Sequence, residues 1–227
     1  MILLVTYDYE KIHTVVVYPS FAMKRLVQEN KNTAEEYNMI FFDRLKKGVD
    51  QQDVRRWKRL VKPFRGGRLL DSGCLDSHIP VLAKLRHKDA DVWGIDIAEQ
   101  AIAAMKDLYP FVNYEVRDVY DTKFEDGYFD YVVMGEVLEH LEEPARAIQE
   151  AMRILKPKGT LALSVPLDEA KERGAVDAIH HIWSYTMKDI LDVLMPYGRV
   201  KTGLLGSQYF PVYRYAWPIV LAFVRKK

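Results

Sequence analysis

A chain of 227 residues with 49% hydrophobic and 29% charged side chains has an ordinary globular composition and is long enough to bury a substantial core in one or two domains. Its net charge of +1 leaves no overall field to draw it to nucleic acid or an acidic membrane. One cysteine, Cys74, excludes internal disulfides and any zinc site built from several thiolates, which fits an intracellular, cytoplasmic home.

The opening Met1 to Val5 is too short for a secretory apolar region, and no basic residue precedes it. No apolar run approaches the length of a membrane span. Leu3 to Tyr7 and Thr14 to Tyr18, on either side of the polar Asp8 to His13, read as two short strands. From about Phe21 to Phe64 the pattern is helical. Val54, Trp57, Leu60, Val61 and Phe64 recur at helical spacing, and Arg55, Arg56, Lys58, Arg59 and Lys62 fill the other positions. A basic helix can meet RNA or an anionic substrate, but a solvated outer face with Trp57 packed on a sheet accounts for the same pattern and is preferred. Pro63 and Gly66-Gly67 end this run.

Arg68 to His78 then reads as strand, turn and helix, with Asp71 at the strand's carboxyl end and Gly73 in the turn. In an open parallel sheet a ligand lies beyond the carboxyl ends of the strands, and the first such turn is where the backbone comes closest to it. Val92 to Asp96 is a second strand ending in a carboxylate, placed to accept hydrogen bonds from both ribose hydroxyls of a nucleoside cofactor. The helix Ala98 to Leu108 puts Ala101, Ile102 and Met105 on a core face. Val112 to Asp118 is a third strand, and Phe129 to Met134 a fourth that ends at Gly135-Glu136. A helix from Pro144 to Leu155, stopped by Lys156 to Gly159, leads to a fifth strand, Thr160 to Val165. Strands alternating with helices predict an α/β, doubly wound, mostly parallel sheet. Beyond Pro166 a polar loop, Asp168 to Asp177, precedes His180 and His181, and Thr186 with Asp189 makes a capping box for a helix ending near Pro196 and Gly198. Arg199 to Leu205 and Pro218 to Val224 suit an antiparallel pair, joined by the aromatic-rich Ser207 to Tyr215 as a packed connection or as a cover for an acceptor.

Five stretches together resemble a class I S-adenosylmethionine-dependent methyltransferase, of the type 11/12 domain kind: Leu70 to Ser77, Gly94-Ile-Asp96, Arg117-Asp-Val119, Phe129 to Leu141 and Ile154 to Thr160. They run in the family's order over roughly residues 66 to 166. A nicotinamide dehydrogenase fits less well, since its fingerprint needs three glycines around a pyrophosphate and this turn has Gly73 alone. The resemblance implies a Rossmann-like, seven-stranded sheet, S-adenosylmethionine as cofactor, and a catalytic domain over 66–227 behind N-terminal strands and a helical cap at 1–65. In this family the segment before the first strand commonly folds over the cofactor, which makes Tyr37, Phe41 and Phe42 lid candidates. It also implies cofactor contacts from Asp71, Gly73, Cys74, Ser77, Asp96, Ile97, Asp118, Val119, Gly135 and Glu136. Asp118-Val119 would meet the adenine, and Gly135-Glu136 the methionine end. The turn departs from the family form at Leu75 and, more seriously, at Ser77, where glycine is usual; a side chain at positive φ costs about 1–2 kcal/mol.

The expected function is methyl transfer to oxygen, nitrogen or carbon of a small-molecule or glycan-type acceptor, with no nucleic-acid partner favoured and the oligomeric state open. His181 is the first candidate for a base and His140 the second, because imidazole titrates near working pH. The preferred reading has no metal. Glu-x-x-Glu-His together with His181 also resembles the metal-assisted O-methyltransferases, in which Glu136, Glu139, His140 and His181 would hold a divalent ion. The other alternative, motivated by Leu75 and Ser77, is a methyltransferase-like partner subunit without catalysis.

Overall fold

The computed structural model describes residues 23–27, 29–167, 180–205 and 219–227. The expected strands within residues 3–18, the polar loop at 168–177 and the aromatic connection at 207–215 lie outside the described residues. In chain order the elements are β1 (Lys24–Arg25), α1 (Ala34–Lys47), α2 (Gln51–Val61), β2 (Arg68–Ser72), α3 (Ile79–Arg86), β3 (Asp91–Asp96) and α4 (Glu99–Leu108). There follow β4 (Asn113–Val116), β5 (Phe129–Gly135), α5 (Pro144–Ile154), β6 (Leu155–Pro166), β7 (Trp183–Ser184), α6 (Met187–Leu194), β8 (Gly198–Leu205) and β9 (Ile219–Lys226).

Seven strands form one sheet in the order β4-β3-β2-β5-β6-β9-β8, parallel except for β9, which runs antiparallel to both β6 and β8. β2 is flanked by β3 and β5, with Leu70 opposite both Trp93 and Val132. The chain therefore winds outward in both directions from β2, and the crevice for a ligand falls at the carboxyl ends of β2 and β5. β5 shows why its sequence is an apolar run rather than an alternation. Val132 and Met134 pack on the α5 and α6 side, and Tyr131 and Val133 on the α2 and α3 side, so both faces are covered. The order of elements, the parallel sheet and the antiparallel pair are those expected from the sequence.

The helical pattern of residues 21–64 resolves into a two-stranded pairing and two helices. β1 pairs antiparallel with β7. Gly48 at φ 75 ends α1, and the Asp50 side chain accepts the Gln52 amide to cap α2. α2 is held by its stripe of Trp57, Leu60 and Val61, all buried, each contributing roughly 1.5–3 kcal/mol. Two other boundaries differ from expectation. β4 ends at Val116, so Asp118 sits in the following turn, bridged to Asp121. Residues 156–159 do not stand between α5 and its strand: β6 begins at Leu155 and absorbs them in an irregular register, with Lys158 at φ 65. Leu138–His140 is a single 3-10 turn, and the next helix starts at Pro144 as expected, proline being favoured at a helix's first position.

The turn after β2 reverses the expected strain. Gly73 and Leu75 take positive φ, at 78° and 40°, and Ser77 does not. Gly73 is required twice over, since a Cβ there would lie 2.8 Å from the Val137 side chain. Leu75 offsets its strain by packing against Phe41 and Ala98. Ser77 is a working part of the turn: its Oγ accepts the Ile79 amide at 3.1 Å, opening α3. Its hydroxyl also lies against Asp71, a buried carboxyl pushed up to about 7 by desolvation; Ser77 counters that rise, repulsion from Asp96 adds to it, and Arg56 opposes it.

Ser77→Gly restores the family's glycine and loses these bonds. We expect stability to fall by about 1–2 kcal/mol in urea denaturation, and a gain in stability would show that the position is strained after all. Asp71 binds its proton more tightly folded, at about 7, than unfolded, at 3.8, so its contribution to stability is complete below 3.8 and disappears as pH rises through 7. Relative to Asp71→Asn, the parent protein should lose up to about 1.4 kcal/mol per pH unit across that window. Parallel unfolding curves for the two proteins, flat against each other from pH 4 to 8, would contradict it.

Candidate functional site

A cavity of about 600 Å³ opens at the carboxyl ends of β2, β3 and β5, between them and the N-terminal helices. That is within the range of small-molecule and cofactor sites. Gly73, Cys74 and Ser77 line it from the first turn, Asp96 and Ile97 from the second strand's end, Asp118 and Val119 from the third, and Gly135 and Glu136 from the fourth. Asp71 is the exception among the residues expected to touch a cofactor. It is sealed beneath the turn, 1% exposed, and does not line the cavity, so its part is to support the turn.

Asp96 is the best-defined acceptor. Its Oδ2 accepts the Leu75 amide at 2.9 Å and its Oδ1 the Ala98 amide at 3.0 Å. Burial raises its carboxyl above the ordinary range, and the amides of Ala98, Leu75 and Ile97 pull it back. A carboxylate has about four lone-pair positions, and with three taken by these amides one remains for a ribose hydroxyl. Asp118 accepts the Tyr120 amide at 2.8 Å, capping its own loop while facing the cavity. Cys74 is buried, and burial pushes its thiol well up, so it packs rather than reacts.

At the far end of the cavity stand the histidines. His140 Nδ1 lies 2.8 Å from the His180 carbonyl, which can only accept, so this ring carries its proton on Nδ1 and presents Nε2 as a lone pair. Burial, then the neighbouring His181, pushes His140 down to about 3. The two rings meet edge to face, 4.7 Å between centroids. Glu139, fully buried, joins them in a group whose ligand atoms lie within 4.8 Å of one another. Glu136, the fourth ligand implied by resemblance, is not in that group; its Oε2 lies 4.0 Å from Arg56. Of the lid candidates, Tyr37 lines the cavity, Phe41 is buried beneath it, and Phe42 is 46% exposed.

Sequence reading expected the N-terminal segment over the cavity, where Tyr37 lies, but missed the polar contacts this segment makes. Asn32 donates to the carbonyls of both His140 and His180 at 2.9 Å, fixing the histidine end. Arg44 bonds both Asp76 oxygens and Asp53 at 2.8 Å, and Asp53 in turn holds Arg56 at 2.7 Å. Trp57 lines the cavity and stacks on His78. The available signal was Asp53, an acid buried within an otherwise basic run, three residues before Arg56.

Residues 70–163 match the model of a methyltransferase domain. The chain is 34% identical over 124 residues to the 27-O-demethylrifamycin SV methyltransferase of Amycolatopsis mediterranei, covering 51% of this chain and 45% of that protein. It is likewise 34% identical over 122 residues to a ubiquinone biosynthesis O-methyltransferase of Thiobacillus denitrificans, covering 51% of each. This chain thus spans about half the length of these curated relatives. A chain of the solved Haloferax volcanii complex between the Trm112 methyltransferase activator and a putative methyltransferase shares the fold, with a TM-score of 0.71 at 14% identity over 85% of this chain and 98% of that one. Among the described residues no helix is long and apolar enough to cross a membrane. Fold, strand-end residues and matched segment agree on a methyltransferase domain, matched over residues 70–163.

Proposed function

We propose that the protein transfers a methyl group from S-adenosylmethionine to a hydroxyl of a small-molecule acceptor. The observation that carries this is convergence: Asp96, Asp118, Gly135 and the histidine cluster, far apart in sequence, open on one cavity. The residues present fit the cofactor. Asp96 would hold a ribose hydroxyl and Asp118 with Val119 the adenine. Gly73, Cys74, Ser77 and Ile97 would shape the walls between them, and Gly135 with Glu136 would border the methionine end. Gly73 leaves the turn no room for a Cβ, which fixes the backbone that borders it. When bound, the cofactor supplies a methyl group activated on a sulfonium. The chain's remaining work is to align the acceptor and exclude water, which can supply on the order of 7–11 kcal/mol. A hydroxyl is the favoured nucleophile because both relatives above carry O-methyl chemistry in their names.

His181 is the proposed base, taking the hydroxyl proton. His140, which resists protonation down to about pH 3, is a poor proton acceptor and orients the acceptor through its Nε2 lone pair instead. A second reading rests on the Glu139, His140 and His181 group, where a neutral imidazole and a carboxylate suit a divalent ion acting as a Lewis acid on the hydroxyl. The cap at 1–65 and the catalytic domain at 66–227 expected from sequence are taken as one compact unit, since residues between 30 and 57 supply part of the cavity wall.

Calorimetric titration with S-adenosylmethionine should give micromolar binding, weakened about 10- to 100-fold by Asp96→Ala through loss of hydrogen bonds to a charged group. No binding up to millimolar by well-folded protein would refute the enzyme reading and favour a partner subunit. With an acceptor in hand, His181→Gln should lower kcat about 10²- to 10⁴-fold at unchanged cofactor affinity. Rate restored to a chelator-treated enzyme by magnesium or zinc, and lost in Glu139→Gln, would select the metal reading.

A further inference from the structure

The net charge of +1 conceals a strong separation of charge along the chain. Between Asp53 and Asp71 there are seven lysines and arginines and no acid, and after Asp192 there are six and no acid. The fold brings these two stretches together. α2 packs over β5 and β6, and β9 and β8 continue the sheet beyond them. Arg55, Lys58, Arg59 and Lys62, spaced i, i+3, i+4 and i+7, are exposed on the outer face of α2. On the strands Lys201 pairs with Phe223 and Arg199 with Arg225, so these four side chains share one face of the sheet. Phe223 packs against the cluster of Trp57 and Leu60, which makes it the face on the α2 side, and Arg199, Lys201 and Arg225 are exposed there. Arg59 reaches the Leu204 carbonyl of β8 at 3.1 Å, so helix and strand pair border one surface.

A basic row on one helix is explained by solvation alone. Two acid-free rows from distant stretches, laid side by side, repel each other and weaken the fold. None of these seven cations makes an ion pair with a described residue, whereas Arg44, Arg153 and Lys156 elsewhere all do. We propose that this surface docks a single-stranded nucleic acid through its phosphates. α2 rises about 10 Å from the sheet, the diameter of a helix with its side chains. The surface is therefore stepped, with the α2 cations on a ridge and Arg199, Lys201 and Arg225 on a floor beside it. A flat anionic bilayer resting on the ridge leaves the floor about a screening length away, while a strand lying in the angle meets both. Lysine and arginine hold phosphate oxygens without reading bases, so binding is independent of sequence. The cavity lies against the same helix, lined by Asp53, Arg56 and Trp57, and docking needs no cofactor in it.

Fluorescence anisotropy with the full chain and a labelled uridine strand of about 20 nucleotides should give a dissociation constant of about 1–100 μM near physiological salt. Contact with four or more phosphates makes log K fall by about 3 or more per tenfold rise in salt. Lys58→Gln with Lys62→Gln on the ridge, and Arg199→Gln with Lys201→Gln on the floor, should each weaken binding about tenfold and flatten that slope by about 1.4. Lys106→Gln, which removes an exposed cation of α4 beside β4 at the far edge of the sheet, should change affinity less than about twofold. Loss in only one of the two pairs, an equal loss in Lys106→Gln, or no binding at about 50 mM salt overturns the docking surface. Phosphatidylglycerol-containing vesicles that carry the protein in flotation, with no binding of the uridine strand, would make this a bilayer contact and overturn it as well.

Discussion

The site depends on one buried carboxylate. Asp96 ends β3, but its two oxygens bind the amide of Leu75 in the turn after β2 and that of Ala98 ahead of α4. A charge 7% exposed would be costly alone; amide hydrogen bonds to its ionised form are what keep it there. In exchange the turn is locked to the neighbouring strand, with Gly73 and Cys74 both donating to the Ile95 carbonyl at 2.9 Å. The unusual backbone at Leu75 follows from this, because its amide has to point at Asp96. The residue that would meet the ribose is thus also the one that shapes the turn around it.

Charge in the cavity is arranged on the same principle. Six acids and two arginines line it, so its field is negative and favours a cationic ligand. The acids nearest the arginines are used structurally: Asp53 and Asp76 hold Arg44, whose side chain is about one-third exposed, and through it tie α1 and α2 to the first turn. An exposed pair contributes little, but this chain of partly buried groups fixes the geometry of three segments together. At the histidine end, burial and the proximity of His181 disfavour protonation of His140. The negative field of the lining suits the cationic cofactor of the proposed function.

The sheet was legible in the sequence because its signals are local. An apolar run that ends in an acid or glycine marks a strand end, so Asp96, Gly135 and Glu136 were expected at the carboxyl ends of strands, where they line the cavity, while Asp118 lies two residues beyond the end of β4. Asp71 obeyed the same rule and misled, because whether a strand-end acid faces a ligand or supports the turn is decided by the fold of the turn itself. The strain was misassigned for a similar reason: comparison with the family's glycines pointed to Ser77, while the backbone places positive φ at Leu75 and gives Ser77 two polar neighbours. The roles of Arg44, Asp53 and Arg56 were not legible at all. Their meaning lies in contacts across 9 and 32 residues of chain and with a strand end 80 positions away.

This separation bears on how such a domain acquires its specificity. The strand ends and turns that would hold the cofactor fall within the segment matched to other methyltransferases, at 70–163. Tyr37, Arg44, Arg56 and Trp57 precede that segment, and His180 and His181 follow it, yet all six line the same cavity. Asn32 joins the two flanks directly by clasping the carbonyls of His140 and His180. Because this wall is built from both flanks at once, a change in Asn32 disturbs hydrogen bonds made by the histidine end. Under the proposed function, acceptor choice would be a property of the paired flanks, with the central sheet setting the position of the cofactor.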